Sequence, residues 1–121
     1  AKIKSQPWNI TIPDFFKDAE KARNLFASII NTETDNIALI PSASYGFAIA
    51  AKNIELSSSD TILLLSEQFP SNYYVWEEQS KLTGARLSIV PRPEDDDWTN
   101  SVINHIDSDK SIKLISLEIL I

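Results

Sequence analysis

The chain contains no cysteine. A disulfide scaffold and a thiolate metal site are therefore excluded, and a cytoplasmic setting is compatible with that composition. Histidine occurs once, at His105, so a histidine-rich metal site cannot form and no metal ligand set is expected. Methionine is also absent and Ala1 opens the chain, which points to processing or to a segment excised from a longer chain. No apolar run approaches the ~20 residues of a membrane-spanning helix. No basic stretch followed by an apolar one opens the chain, so a secretory signal is not expected. Positive charge is in the minority: 11 Lys and Arg stand against 17 Asp and Glu, for a net charge of −6. That balance argues against a nucleic-acid binder, which normally carries a basic face.

What is present fits one folded domain of 121 residues, 43% of them hydrophobic. Residues 1–12 read as an extended lead-in whose Trp8 packs on the domain. Pro13–Asn31 reads as a helix, with Phe15, Ala19, Ala22, Phe26 and Ile29 at helical spacing and Asn31 as terminator. Asn36–Ile40 is a short apolar strand candidate, followed by the small, polar turn Pro41–Gly46. Phe47–Ala51 is apolar on every face, as a buried helix would be. Ile62–Leu65 is a fully apolar strand. Ser71 is placed to cap a helix over Asn72–Thr83 that turns Tyr74, Val75 and Leu82 to the core, and Gly84 stands where a C-terminal glycine cap belongs. Arg86–Val90 is the next strand. Asp96 or Asp97 caps a helix carrying Trp98, Val102 and Ile106 at i, i+4, i+8, and Ile112–Leu117 is the fourth strand. This alternation predicts an α/β fold of three layers, a mainly parallel sheet with helices on both faces. Leu114–Ile121 runs LISLEILI without a cap or polar tail, so the chain is expected to be cut inside a larger domain.

Two loops follow predicted strands and therefore lie at the end of the sheet where ligands bind. Pro41–Gly46 lacks the lysine of GxxxxGK[ST] and the glycines of GxGxxG, so neither a triphosphate loop nor a dinucleotide fingerprint is present. It offers small residues and two hydroxyls, Ser42 and Ser44, at a helix N-terminus. Simple capping and phosphate binding are both open readings of that pattern. The second loop, Ser66–Ser71, holds Phe69 between a strand end and Pro70, either as a core aromatic or as a ring poised to stack on a planar ligand. The acid run Glu94–Asp97 reads as a solvated loop.

The pattern P-S-A-S-Y-G-F-A-I-A-A, followed by a strand and S-E-Q-F-P-S-N-Y-Y-V-W, resembles the class V aminotransferase family. These are fold-type I pyridoxal-phosphate enzymes related to cysteine desulfurases and selenocysteine lyases. The resemblance covers nearly the whole chain and implies an incomplete fold-type I large domain over residues 1–121. It implies that Ala43 and Ser44 correspond to the small pair that binds the cofactor phosphate. It also implies that Phe69 stands where desulfurases carry a histidine that stacks on the pyridine ring. Phenylalanine can stack but cannot transfer a proton, which favours another branch of the family. The Schiff-base lysine, the aspartate that pairs with the pyridine nitrogen and the substrate-binding arginine have no counterpart here; none of Lys52, Lys81, Lys110 or Lys113 matches. No catalytic residue is therefore assigned, and the isolated chain is expected to be inactive. The implied cofactor is pyridoxal phosphate. The implied partners are a second copy or the remainder of the enzyme, with a small amino-acid substrate for the full-length protein. Two alternatives stand beside this reading: a non-catalytic binding or self-assembly module derived from the same fold, and a small α/β domain of another class. A receiver-like domain is disfavoured because the strand ends offer Ser66-Glu67 but no Asp pair.

Overall fold

A computed structural model describes residues 5–118. The chain divides into two units, Ala1–Pro41 and Ser42–Ile121.

The first unit is built on helix α1, Asp14–Ile29. Pro13 stands at its N-cap, and the Asp14 carboxylate accepts from the backbone N–H and hydroxyl of Thr11 at 2.9 and 2.7 Å. Asn31, in the left-handed region at φ 55°, turns the chain after the helix. Arg23 then holds the returning segment: Nε donates to the Ile37 carbonyl at 2.7 Å and a terminal nitrogen to the Thr34 carbonyl at 2.9 Å. The expected strand at Asn36–Ile40 does not form. Thr34–Asn36 is a 3-10 turn, and no described strand offers 37–40 the ladder partner that extended backbone needs. Trp8 is also displaced from its expected place. It lies in a 3-10 turn, Pro7–Asn9, and is 76% exposed.

The second unit is a parallel α/β sandwich. Its elements in order are α2 (Ala43–Asn53), β1 (Thr61–Leu65), α3 (Pro70–Thr83), β2 (Arg86–Val90), α4 (Trp98–Ser108) and β3 (Ile112–Ser116). The strand order is β2-β1-β3, with Ile62 opposite Leu87 on one side and opposite Leu114 on the other. Central β1 is buried along its whole length, as parallel strands covered on both faces are. Its side chains alternate between two cores. Ile62 and Leu64 join Ala51, Trp76, Ala85 and Leu114, with Phe47 and Tyr73 packed against them. Leu63 and Leu65 join Val90, with Trp98, Val102 and Ile106 of α4 packed against them. Each buried aliphatic of β1 contributes about 2 kcal/mol. Helices α3 and α4 thus cover opposite faces, and the three-layer parallel architecture expected of the sequence is present.

Several local expectations shift. α3 starts at Pro70, which fits a first helical turn because it has no N–H to leave unpaired, so Ser71 lies inside the helix and Phe69 takes the cap position. Tyr74 and Leu82 point to solvent, at 63% and 72% exposed, while Trp76 is the side chain α3 buries. α2 is not buried all round: Ala51 is, but Tyr45 and Ile49 stay about half exposed at 51% and 46%. Gly84 does end α3 in the left-handed region at φ 76°, and Asp97 caps α4 by accepting from the Asn100 N–H at 3.0 Å. The strand expected at Ile112–Leu117 is β3, the third described strand; the last residues of the LISLEILI run, 119–121, lie outside the described residues.

Candidate functional site

The strand order creates a switch point. The chain leaves β1 towards β2 over one face and reaches β3 only after crossing the other, so the carboxyl ends of β1 and β3 flank a crevice of the kind in which α/β sheets bind ligands. Besides α4, which follows β2, two helix N-termini face this end. α3 begins there directly, four residues after β1. α2 arrives there by its direction. Its C-terminus leads through residues 54–60 to the start of β1, where Asp60 accepts from the Arg86 N–H at 2.9 Å and Ser58 lies beside Gly84. An eleven-residue helix rises about 16 Å, matching the roughly 17 Å of a five-residue strand, so the first turn of α2 lies towards the carboxyl ends.

The α2 terminus is open. Ser42, in extended conformation, is the N-cap and its Oγ accepts from the Tyr45 N–H at 3.2 Å. Its carbonyl accepts from the Gly46 N–H, also at 3.2 Å. Ala43 and Ser44 follow in the first turn, both exposed. Their N–H groups, and the Ser44 hydroxyl, meet no acceptor among the described residues. The positive end of the helix dipole adds to the two free donors.

The α3 terminus is tied to β1 and β3. Gln68 spans the ends of two strands: Oε1 accepts from the Leu65 N–H and Nε2 donates to the Ser116 carbonyl, both at 3.0 Å. Asn72 is fully buried, and its Oδ1 accepts from Trp76 Nε1 at 3.1 Å and from the Ser116 hydroxyl at 2.6 Å. Beyond β3, both oxygens of Glu118 take the Phe69 N–H, at 2.9 and 3.0 Å. Phe69 itself keeps 67% of its surface exposed on this fixed backbone. Two buried polar atoms here, Ser66 Oγ and Asn72 Nδ2, have no partner among the described residues. Glu67 adopts φ 63°, a strained position for a residue with a Cβ, and its carboxylate meets Arg92 at 3.2 Å.

Of the three residues named from the sequence, Ala43 and Ser44 lie together at the α2 terminus and Phe69 heads α3, all in the second unit. An exposed pair of N–H donors beside a hydroxyl fits a phosphate, and an exposed ring at the strand end fits the edge of a planar group. Gln68, Asn72, Ser116 and Glu118 were not singled out in sequence. The available signal was a lone serine and a lone acid in the apolar run LISLEILI, where a polar group needs a reason to be.

The class V aminotransferase family model matches residues 13–118. The chain belongs to that family. The family uses pyridoxal phosphate. Among its relatives, an uncharacterized aminotransferase of Bacillus subtilis, YcbU, is 31% identical over 72 residues, which are 60% of this chain and 19% of that protein. A protein of Mycoplasma genitalium described as a probable cysteine desulfurase is 24% identical over 86 residues, 69% of this chain and 21% of the relative. The chain thus matches about a fifth of the length of these curated relatives. The class V chain also superposes on a solved structure of C-DES, a lysine-to-alanine variant with glycine covalently linked to its PLP cofactor. The TM-score is 0.71 at 16% identity, over 94% of this chain and 31% of that one. That likeness establishes the fold: a part of a fold-type I pyridoxal-phosphate enzyme domain.

Proposed function

We propose that the chain is the N-terminal part of a pyridoxal-phosphate-dependent class V aminotransferase-like enzyme, within its large domain, and that it contributes the phosphate-binding loop and the ring-stacking residue. The observation that carries this reading is the open N-terminus of α2, with the free N–H groups of Ala43 and Ser44 facing the same end of the sheet as the exposed Phe69. Ala43 offers its backbone N–H alone; Ser44 adds its hydroxyl. Phe69 offers a face or edge for stacking and no proton to transfer. When bound, the cofactor supplies an electron sink for an amino-acid substrate. This chain's own residues bind and orient it. The lysine that would hold the cofactor aldehyde and the aspartate that would face the ring nitrogen have no counterpart among the matched positions, so the isolated chain is inactive in this reading. The small amino-acid substrate belongs to the whole protein.

Thermal stability with pyridoxine phosphate tests the reading; this probe lacks the aldehyde and cannot react with surface lysines. The phosphate ester stabilises the chain, pyridoxine without phosphate does not, and Ser44→Ala weakens binding about tenfold, the value of one hydrogen bond to a charged acceptor. Equal stabilisation by both compounds removes the phosphate role.

A second feature supports association, with another copy or with the remainder of the enzyme. Trp8, Ile12, Phe15 and Ile29 in the first unit are each more than 70% exposed, and apolar surface of that kind is usually covered. Sedimentation of a stable monomer at micromolar concentration would rule out self-association. No helix among the described residues is long and apolar enough to cross a membrane.

A further inference from the structure

The aromatic ring at the head of α3 is held by a residue that lies 49 positions later in the chain. Both carboxylate oxygens of Glu118 converge on the single Phe69 N–H, at 2.9 and 3.0 Å. That N–H belongs to the cap residue of a fourteen-residue helix, whose next residue, Pro70, has none to give. The carboxylate therefore takes the donor just ahead of the first turn, where the helix dipole favours a negative charge. The neighbouring links run between the same two segments: Gln68 to the Ser116 carbonyl and the Ser116 hydroxyl to Asn72. Phe69 and Glu118 are the outermost pair of this seam. A ring that is 67% exposed has little packing to hold its place, so the backbone that carries it matters more.

We propose that Glu118 is the positioning residue for Phe69: its carboxylate pins the Phe69 backbone and so fixes the point at the strand ends from which the exposed ring projects. A consequence is that an internal carboxylate already stands at the head of α3, whereas no carboxylate among the described residues accepts from the α2 terminus. The stacking role of the ring rests on the function proposed above; the pinning does not.

The test uses the 121-residue chain with Glu118→Ala, Glu118→Gln, Phe69→Ala and the double variant Glu118→Ala/Phe69→Ala. Hydrogen exchange at the Phe69 amide is the first readout. Glu118→Ala accelerates it at least about tenfold, as loss of a charge-assisted hydrogen bond should. Added acetate restores protection by occupying the vacated anion position. Glu118→Gln, which keeps one acceptor oxygen and the side-chain shape, gives an intermediate rate. Unchanged exchange in both Glu118 variants overturns the proposal. Pyridoxine phosphate binding is the second readout. Glu118→Ala and Phe69→Ala each weaken it, and the double variant is no weaker than Phe69→Ala alone, because Glu118 acts only through the ring. Fully additive losses overturn the positioning role. If the wild-type chain fails to bind the probe, the cofactor reading falls while the exchange and acetate measurements still decide the pinning.

Discussion

The second unit carries three helix N-termini at one end of its sheet, and those of α2 and α3 are finished in different ways. At α2 the only capping side chain is Ser42, three residues from the N–H it accepts, and Ala43 and Ser44 keep free donors. At α3 the cap side chain makes no bond, but the cap N–H is taken by Glu118, and Gln68 and Asn72 tie the terminus to β3 through Ser116, while the Ser71 N–H meets no acceptor among the described residues. The difference teaches which terminus is available. A helix end tied to the sheet and occupied by an internal carboxylate is a structural joint; one with free donors and no internal anion is a place for a ligand anion.

The largest expected effect breaks the closed joint. Asn72→Ala leaves the buried Trp76 N–H and the Ser116 hydroxyl without their shared acceptor and should cost about 3 kcal/mol in urea unfolding. At the open end, Ser42→Ala removes a single exposed cap and should cost about 1 kcal/mol. If the two losses came out equal, the distinction between joint and open end would disappear. Smaller still, Ser44→Ala should change stability by less than about 0.5 kcal/mol, as surface substitutions do, while it weakens the phosphate ester. A large loss of stability would make Ser44 a structural residue.

Acid titration sharpens the comparison with a third terminus, that of α4, which is capped by a carboxylate rather than a hydroxyl. The Asn100 N–H and side-chain amide hold Asp97 below the usual carboxylate range. Asp14, Asp60 and Asp109 are lowered likewise, chiefly by the hydroxyls of Thr11, Ser57 and Ser111. A depressed folded-state value means that the unfolded chain binds more protons in that window. The contribution is therefore complete above the unfolded carboxylate range and is lost as pH falls through the folded values. Asp97→Asn keeps an acceptor at the cap and removes the titration, so stability measured between neutral and acid pH should fall less steeply than in the wild type. An unchanged slope would show that Asp97 does not couple to folding.

The contrast between the termini also explains what could be read in the sequence. Local chemistry was legible: the apolar run Ile62–Leu65, the Gly84 stop, the Asp97 cap and the Trp98, Val102, Ile106 stripe each depend on neighbours a few residues away. The parallel alternation followed from them, and so did the small residues of the open terminus. Contacts made across 44 to 49 residues were not legible, because nothing near Phe69 announces Ser116 or Glu118 as its partners. The same limit misplaced the side chains of α3. Its Tyr74 and Leu82 have the apolar character of core residues, but the face that α3 buries carries Trp76 and Asn72, and Asn72 meets Ser116 of β3, 44 residues on. At Asn36–Ile40 the apolar pattern was that of a strand, and only the lack of a described ladder partner kept it from being one.

The most direct test of the central claim, that the open α2 terminus holds a cofactor phosphate, is a heteronuclear NMR titration of the chain with pyridoxine phosphate. The Ala43 and Ser44 amide resonances should shift first and saturate together with that of Phe69, and pyridoxine without phosphate should leave the Ala43 and Ser44 amides in place. Shifts confined to other residues, or the same Ala43 and Ser44 shifts with the unphosphorylated compound, would contradict it.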